Sequence, residues 1–385
     1  MASGRRAIIV GAGIGGLTAA QALHAACFDV LVVERTRELR EVGAGIALWP
    51  NGVNALDALA LGEAVRARGA SADDGGVFTW QGTALAASAA DQFHSRFGAP
   101  LLVLHRAELQ AALSASLNSE SMRLGATCVA IEQRDERVAV HLADGGIEQA
   151  DLVVGADGIN SRVREELFGA SPIRYSGFTA WRGVVPLDPA LSERLTPGES
   201  FGPGSLFGVA RLNGNQAYWW ASARKPENAG GEASVEKAGL LHRFGAWCDP
   251  IPELIAATPD GSIVRTPLYE RPPLPSLVAG RVGVLGDAAH PMLPNLGQGA
   301  CQAIEDAAEL GSALARVDDV PAALVAYSRR RAKRTAAVVR ASRRAARKAH
   351  LGNPVAVALR NGLTRVTPPS ASQRRLAPII GYKTE

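Results

Sequence analysis

Hydrophobic and polar positions alternate in two textures along the chain. Three short runs, Ala7-Ile-Ile-Val10, Val30-Leu-Val-Val33 and Leu152-Val-Val154, are apolar without interruption. Such runs read as strands buried on both faces, the habit of a parallel sheet. The first leads through a glycine turn into a helix reaching about Cys27, and a second strand, Asp29–Val33, ends at Glu34, so this stretch reads as a βαβ unit. A polar helix, Arg106–Leu117, follows, then strands near Cys128–Ile131 and Val138–Leu142, closed by an Asp144-Gly145-Gly146 turn. From about Tyr175 to Arg271 the texture changes to β-branched and aromatic runs broken by Gly and Pro, which predicts an antiparallel sheet. Its clearest hairpin pairs Ser205–Arg211 with Gln216–Ser222 through a two-residue turn at Asn213-Gly214. Period-two alternation puts Tyr218 and Trp220 on one face and Trp219 on the other. A short strand at Arg281–Leu285 and a helix from about Ala300 to Ala315 resume the first texture.

Composition narrows the class. With 385 residues, 47% hydrophobic and 20% charged, the chain reads as two or three folded units and not as a disordered segment. Cys27, Cys128, Cys248 and Cys301 are scattered without a C-x-x-C pair, so no zinc site or dithiol centre is expected and the thiols read as buried and structural. No apolar stretch predicts a signal peptide or a membrane span, which makes a cytoplasmic location the expectation. The net charge of +4 hides an asymmetry: ten Arg or Lys and no acid lie between Arg329 and His350, leaving 31 basic against 37 acidic residues elsewhere. On a helical pattern carrying Tyr327, Val338 and Val339, this run reads as a solvated helix face, with a nucleic-acid surface as the alternative that salt-dependent DNA retention would reveal. The segment after Gly352 carries no readable chemistry, and no internal repeat is present.

Chemistry enters at Gly11-Ala-Gly13-Ile14-Gly15-Gly16, which sits between the first strand and helix. Glycines there permit a tight turn and close backbone approach, and the helix N-terminus faces a pyrophosphate. Glu34 follows Gly16 by 18 positions, at the end of the next strand, where a carboxylate holds ribose hydroxyls and repels a ribose phosphate. An ADP-containing ligand other than NADP is expected at this place. The fingerprint does not separate FAD from NAD; the absence of a second fingerprint and of a cysteine pair argues against a two-site disulfide reductase.

Two further segments, Asp157-Gly158-Ile-Asn-Ser161-Arg-Val-Arg164 and Gly286-Asp287-Ala-Ala-His290-Pro291-Met-Leu-Pro294 with Gly297-Gln298-Gly299 after it, complete a pattern. Together with the fingerprint they resemble the single-component flavoprotein aromatic hydroxylases, the group that includes salicylate, hydroxybenzoate and urate hydroxylases. The resemblance runs from about residue 6 to residue 340. It implies an α/β fold: a Rossmann-like FAD-binding domain of the glutathione-reductase type with a mostly antiparallel β-sheet substrate domain inserted and a C-terminal helix. The implied division is 1–70, 98–174 and 275–345 for the discontinuous FAD-binding domain, 71–97 and 175–274 for the substrate domain, and 346–385 for a tail.

By the same resemblance Gly11, Gly13, Ile14, Gly15 and Gly16 cradle FAD, Glu34 binds the adenosine ribose, Arg35 lies near the adenine and Arg106 reaches the pyrophosphate. Asp287 binds the ribityl hydroxyls, Asp157-Gly158 serves FAD and the passage of the nicotinamide nucleotide, and Pro294, Gly297, Gln298, Gly299 and Ala300 border the isoalloxazine. The last assignment has physical support, because Gly297–Gly299 opens a helix whose free N–H groups and positive end suit an anionic reduced ring. His290, followed by proline, reads as a structural hydrogen-bonding residue. The Gly43-Ala-Gly45 loop is expected to flex beside a flavin that swings between reducing and oxygenating positions.

The implied reaction is NADH- or NADPH-dependent reduction of FAD, addition of O2 as a flavin 4a-hydroperoxide and transfer of one oxygen atom to an aromatic or electron-rich small molecule. No metal and no catalytic side chain is named, since the cofactor carries the chemistry. Epoxidation of an alkene or isoprenoid, and flavin-dependent reduction, are the alternatives. On the substrate side the candidates are Trp181, Leu206, Tyr218 and Trp220, with Phe207 and Val209 beside them and Arg182 or Arg211 as anion holders. Tyr218 falls where urate-type enzymes carry an active-site Tyr, whereas Leu206 stands where they carry an Arg, which argues against urate. Partners are limited to the small molecule, with no nucleic acid, in a monomer or homodimer.

Overall fold

The computed structural model describes residues 4–39, 44–72, 74–88, 92–228 and 233–384. The uninterrupted apolar runs form the centre of a six-stranded sheet. In order it holds Val278–Ala279, Val282–Val284, Leu152–Gly155, Arg6–Val10, Asp29–Glu34 and Met122–Leu124, all parallel except the first. Ala7, Ile8, Ile9, Val32 and Val153 are fully buried, as strands covered on both faces require. The helices Ile14–Ala25 and Gly299–Arg316 pack against each other in this core. The Arg106 helix ends at Ser114, earlier than the pattern predicted.

A seven-stranded sheet forms the other layer, in the order Val264–Glu270, Arg174–Pro186, Gln216–Arg224, Ser205–Leu212, Gly198–Gly202, Gly75–Thr79 and Ala84–Ser88. All its pairings are antiparallel except that of Gly198–Gly202 with Gly75–Thr79. Its hairpin departs in one detail from the expected turn. Leu212 pairs with Gln216, so the connection holds three residues, with Gly214 at φ +77° and Asn215 at φ +55°. Two small three-stranded sheets, Cys128–Gln133 with Val138–Leu142 and Ile147–Ala150, and Gly45–Leu48 with Leu102–His105 and Ala70–Ser71, complete the framework.

The segment after Gly352, read above only as lacking chemistry, folds into two helices, Pro354–Val366 and Pro369–Ile380, each opened by proline, which is pre-set for a first helical turn. Two expectations are corrected. Only Cys128 and Cys301 are buried; Cys27 is exposed in the turn after the first helix, at φ +63°. The basic helix, Val320–Ala349, is not solvated throughout. Arg329, Lys333, Arg340, Arg344, Arg347 and Lys348 face solvent, but Arg331 is fully buried and Arg330, Arg334 and Arg343 pair with acids.

Candidate active site

Packing demands two of the fingerprint glycines and open space surrounds a third. Gly11 adopts φ +108° and donates its N–H to Val33 O at 2.8 Å; a Cβ there would lie 2.5 Å from Ala156 O. A Cβ at Gly16 would lie 1.9 Å from Gly11 O, so helix and strand could not approach as they do. At Gly13 a Cβ would meet nothing within 4 Å. No side chain caps the helix that begins at Ile14, so its first N–H groups point into this opening. Glu34 is held at its rim, one carboxylate oxygen accepting from the Ala12 N–H at 2.8 Å and the other from the Thr36 N–H at 2.9 Å.

Arg106 and Asp287 face a common crevice. Both are solvent-accessible, and Arg106 is anchored through its own N–H to Ala44 O at 3.0 Å. Asp287 sits in a recess where lost hydration pushes its pKa above the usual carboxylate range, while the charges of His290 and Arg106 pull against that rise. Arg35 is exposed at the end of the second strand. Asp157 has a different occupation: its carboxylate accepts from Ser161 Oγ at 2.5 Å, the Arg162 N–H at 2.7 Å and the Val163 N–H at 3.2 Å, which fixes the start of the helix Arg162–Phe168. Gly158, at φ +79° with nothing near its Cβ position, is the part of that pair facing open space.

The segment from Pro294 reaches the same region. Pro294 is exposed, Gly297 takes φ +60°, and the helix from Gly299 starts without a side-chain cap. Ala300 is half-buried, and a Cβ at Gly299 would meet nothing. Gln298 turns inward: its Oε1 accepts from Asn51 Nδ2 at 2.9 Å and Gln302 Nε2 at 3.0 Å, so only its backbone faces the opening.

Below this floor lies a buried polar network that sequence reading missed. Asp306 accepts from the Gly286 N–H at 3.0 Å, His290 Nε2 at 2.5 Å and Arg331 Nε at 2.6 Å. Glu305 pairs with Arg331 and with Arg334, the latter at 2.7 Å, and also accepts from Asn51 Nδ2 at 2.6 Å. Arg334 reaches on to Pro378 O and Ile379 O, tying in the last helix. Gln298, Gln302, Glu305, Asp306 and Glu309 recur at helical spacing and would pass for a solvent face; the matching signal is the Arg330-Arg331/Arg334 spacing on the next helix. His290 has the structural role expected, because through Asp306 it shares an acceptor with the loop that carries Asp287.

Burial alone would raise the Asp306 pKa, but His290 and Arg331 outweigh it and bring it down to about 2. A folded-state pKa below the unfolded value stabilises the native state above about pH 4, and that contribution is lost as pH falls from there through about 2. Denaturant titrations should therefore lose about 2 kcal/mol of stability to this group between pH 5 and pH 2. Asp306→Asn should flatten that part of the profile; an unchanged slope would remove the assignment.

The facing wall is built by the long sheet. Tyr218 and Trp220 share a face, their rings 5.3 Å apart, and the Tyr218 ring lies over Gly45, where a Cβ would come within 2.2 Å of it. Trp220 covers Gly208 and donates its indole N–H to Glu199 at 3.0 Å. Burial raises the Glu199 pKa and this hydrogen bond opposes the rise. Leu206 is buried and pairs with Ser222 on the same face. Arg182 pairs across from Trp220 and donates to Thr266 Oγ1 at 3.2 Å. Burial raises the Tyr218 pKa, while Arg182 draws it back. The strand Gly45–Leu48 runs from Tyr218 toward Trp49, whose indole abuts Gly297, so one strand links this wall to the Pro294–Gly299 segment.

Trp181 is not in that wall. It pairs with Ala221 and so lies on the Trp219 face, where its indole donates to Glu236 at 2.8 Å within a separate core containing Phe207, Val209 and Phe244. Period two turns these three candidates away from Tyr218. Arg211 is likewise spent, donating to Ser192 Oγ, Ser192 O and Leu195 O. Gly43 lies outside the described residues.

Comparison with known proteins fits this geometry. The FAD binding domain family matches residues 5–342. The chain is 38% identical to the aurachin C monooxygenase/isomerase of Stigmatella aurantiaca, over 95% of each protein. It is also 38% identical to the 3-amino-4-hydroxybenzoate 2-monooxygenase of Streptomyces cremeus, over 90% of this chain and 88% of the other. Among solved structures, Klebsiella pneumoniae HpxO complexed with FAD and uric acid superimposes with a TM-score of 0.93 at 28% identity, covering 99% of this chain and 97% of that one.

Proposed function

The chain belongs to the FAD binding domain family and is an FAD-dependent monooxygenase of the aromatic hydroxylase group, and from that premise we propose that it uses NAD(P)H and O2 to insert one oxygen atom into an aromatic or otherwise electron-rich small molecule. The observation that carries this reading is the strand Gly45–Leu48, which meets the Tyr218 ring at Gly45 and leads to Trp49, whose indole abuts Gly297 just before the uncapped Gly299 helix.

The residues present fit FAD. The open position over Gly13 would admit a pyrophosphate, Glu34 would hold the ribose, Arg106 and Asp287 would line the crevice between, and the Gly297–Gly299 backbone would meet the ring. When bound, FAD supplies the redox chemistry: it takes a hydride equivalent from NAD(P)H and activates O2 for transfer of one atom. The rest falls to the protein. N–H groups at the start of the Gly299 helix stabilise negative charge on the reduced ring. Tyr218, Trp220 and Leu206 orient an aromatic substrate and keep water from it. The seven-stranded sheet is thus the substrate-holding layer, and the six-stranded sheet holds the cofactor. Leu206 brings no charge where urate-type enzymes carry an Arg, which argues against urate, while Arg182, bonded to the neutral Thr266 and drawing on Tyr218, leaves a cation at the edge of the wall.

Rapid mixing of the anaerobically reduced, FAD-loaded protein with oxygenated buffer tests the class. A transient absorbance distinct from both oxidised and reduced flavin is expected; slow reoxidation without a transient, with candidate substrates present, would favour a reductase. Labelled oxygen in the product then separates a phenol from an epoxide.

Two glycine variants separate ligand approach from packing. Gly13→Val, placed in open space, should leave the melting temperature nearly unchanged while weakening FAD by roughly tenfold or more. Gly16→Ala, which collides with Gly11 O, should lower both. Equal FAD affinity in Gly13→Val would place the pyrophosphate elsewhere.

A further inference from the structure

The helix Pro354–Val366 carries an apolar face that none of the described residues covers. Val355, Leu359, Leu363 and Val366 are 77%, 63%, 55% and 73% exposed. At 3.6 residues per turn they fall within an arc of about 80°. Gly362 and Ala358 flank one edge of that arc, while Val357 and Arg360 are buried on the other side of the helix. There Arg360 donates to Ala349 O at 3.2 Å and stands over the Phe201 ring, so the helix is pinned to the protein by one face and presents the other.

The charge around this face selects its occupant. From Val320 to Thr384 the chain contains no Asp or Glu and 15 Arg or Lys. Arg344, Arg347 and Lys348 before the helix, Arg365 at its end and Arg374 and Arg375 after it are exposed. A second copy meeting this face would bring the basic flanking segments of both chains together. A nucleic acid would satisfy the cations and leave the four aliphatic side chains against phosphate. An anionic bilayer satisfies both, taking the aliphatic face among the acyl chains and the cations at the headgroups. Among the described residues no helix is long and apolar enough to cross a membrane; this one would lie in the interface.

We propose that the helix Pro354–Val366 docks the protein on anionic lipid membranes, with Val355, Leu359, Leu363 and Val366 inserted and the flanking arginines on the headgroups. Its buried side rests at Phe201, which pairs with Leu206 of the substrate-facing wall, so docking would bring that wall close to the bilayer. Docking through this helix and its basic flanks does not depend on the proposed reaction.

Sedimentation of the flavin-loaded protein with vesicles of phosphatidylcholine, alone or mixed with phosphatidylglycerol, tests it. Binding at low salt should be at least roughly tenfold stronger on the phosphatidylglycerol vesicles and weaken as salt rises. The double variant Leu359→Ser/Leu363→Ser should lose roughly tenfold of that binding or more, with flavin content and melting temperature retained because both residues are exposed. Arg374→Gln/Arg375→Gln should weaken binding to the anionic vesicles by a similar factor. Three results would overturn the proposal: no preference for anionic vesicles, binding unaffected by Leu359→Ser/Leu363→Ser, or vesicle-independent dimerisation that this variant abolishes. Retention on DNA without retention on vesicles would assign the surface to nucleic acid instead.

Discussion

Asp287→Ala will purify colourless, with FAD affinity weakened by about a hundredfold. A carboxylate that accepts hydrogen bonds from ligand hydroxyls in a recess contributes about 1.5–3 kcal/mol per charge-assisted bond, and each 1.4 kcal/mol is tenfold in affinity. Asp287 is suited to that task because it lies in the crevice shared with Arg106, and its side chain is solvent-accessible. The same exposure makes the variant informative, since removing an exposed side chain should leave the fold intact. Asp287→Asn, which keeps an acceptor without the charge, should retain an intermediate fraction of flavin. The ratio of flavin to protein absorbance after gel filtration, followed by equilibrium dialysis with added FAD, measures both. Full flavin occupancy in Asp287→Ala would sink the assignment of the ribityl site.

Arg331→Met should cost about 3–5 kcal/mol of stability and lower the melting temperature by roughly 4–6 °C. The reason is the state left behind. Arg331 is fully buried between Glu305 and Asp306, themselves fully buried, and its removal leaves two carboxylates without their shared counter-ion. Adding Asp306→Asn to Arg331→Met should recover part of the loss, because Glu305 keeps Arg334 as a partner whereas Asp306 has lost its arginine. Asp306 also holds the Gly286 N–H and His290, so flavin retention in Arg331→Met should fall as the Asp287 loop loosens. Scanning calorimetry and flavin content read the two effects separately. A melting temperature within about a degree of the parent would mean that water or a rearranged Arg334 compensates the acids.

Local rules made much of the cofactor side legible and little of what lies beneath it. The spacing of Gly11, Gly13, Gly16 and Glu34 reflects constraints acting within a single βαβ unit, and the unit is present as read. The three-residue connection at Asn213–Asn215 shows the limit of even local turn chemistry, since Asn-Gly suits a two-residue turn but Asn215 also accepts a left-handed conformation. The two C-terminal helices were unreadable for a related reason: their apolar positions pack only in part, and much of Pro354–Val366 faces outward.

The sequence by itself determined the apolar strands, the glycine-lined opening at the first helix and the alternation that separates Tyr218 and Trp220 from Trp219. Each depends on residues close together in the chain and on a period set by backbone geometry. Only the tertiary structure decided that Trp181 lies on the far face, that Gln298 turns its side chain inward, and that Glu305, Asp306 and Arg331 are a buried cluster and not parts of two solvated helix faces. Those outcomes depend on which strand pairs with which and on which helix face meets its neighbour. A polar side chain carries the same local pattern whether water or an opposite charge satisfies it, and long-range packing alone chooses between the two.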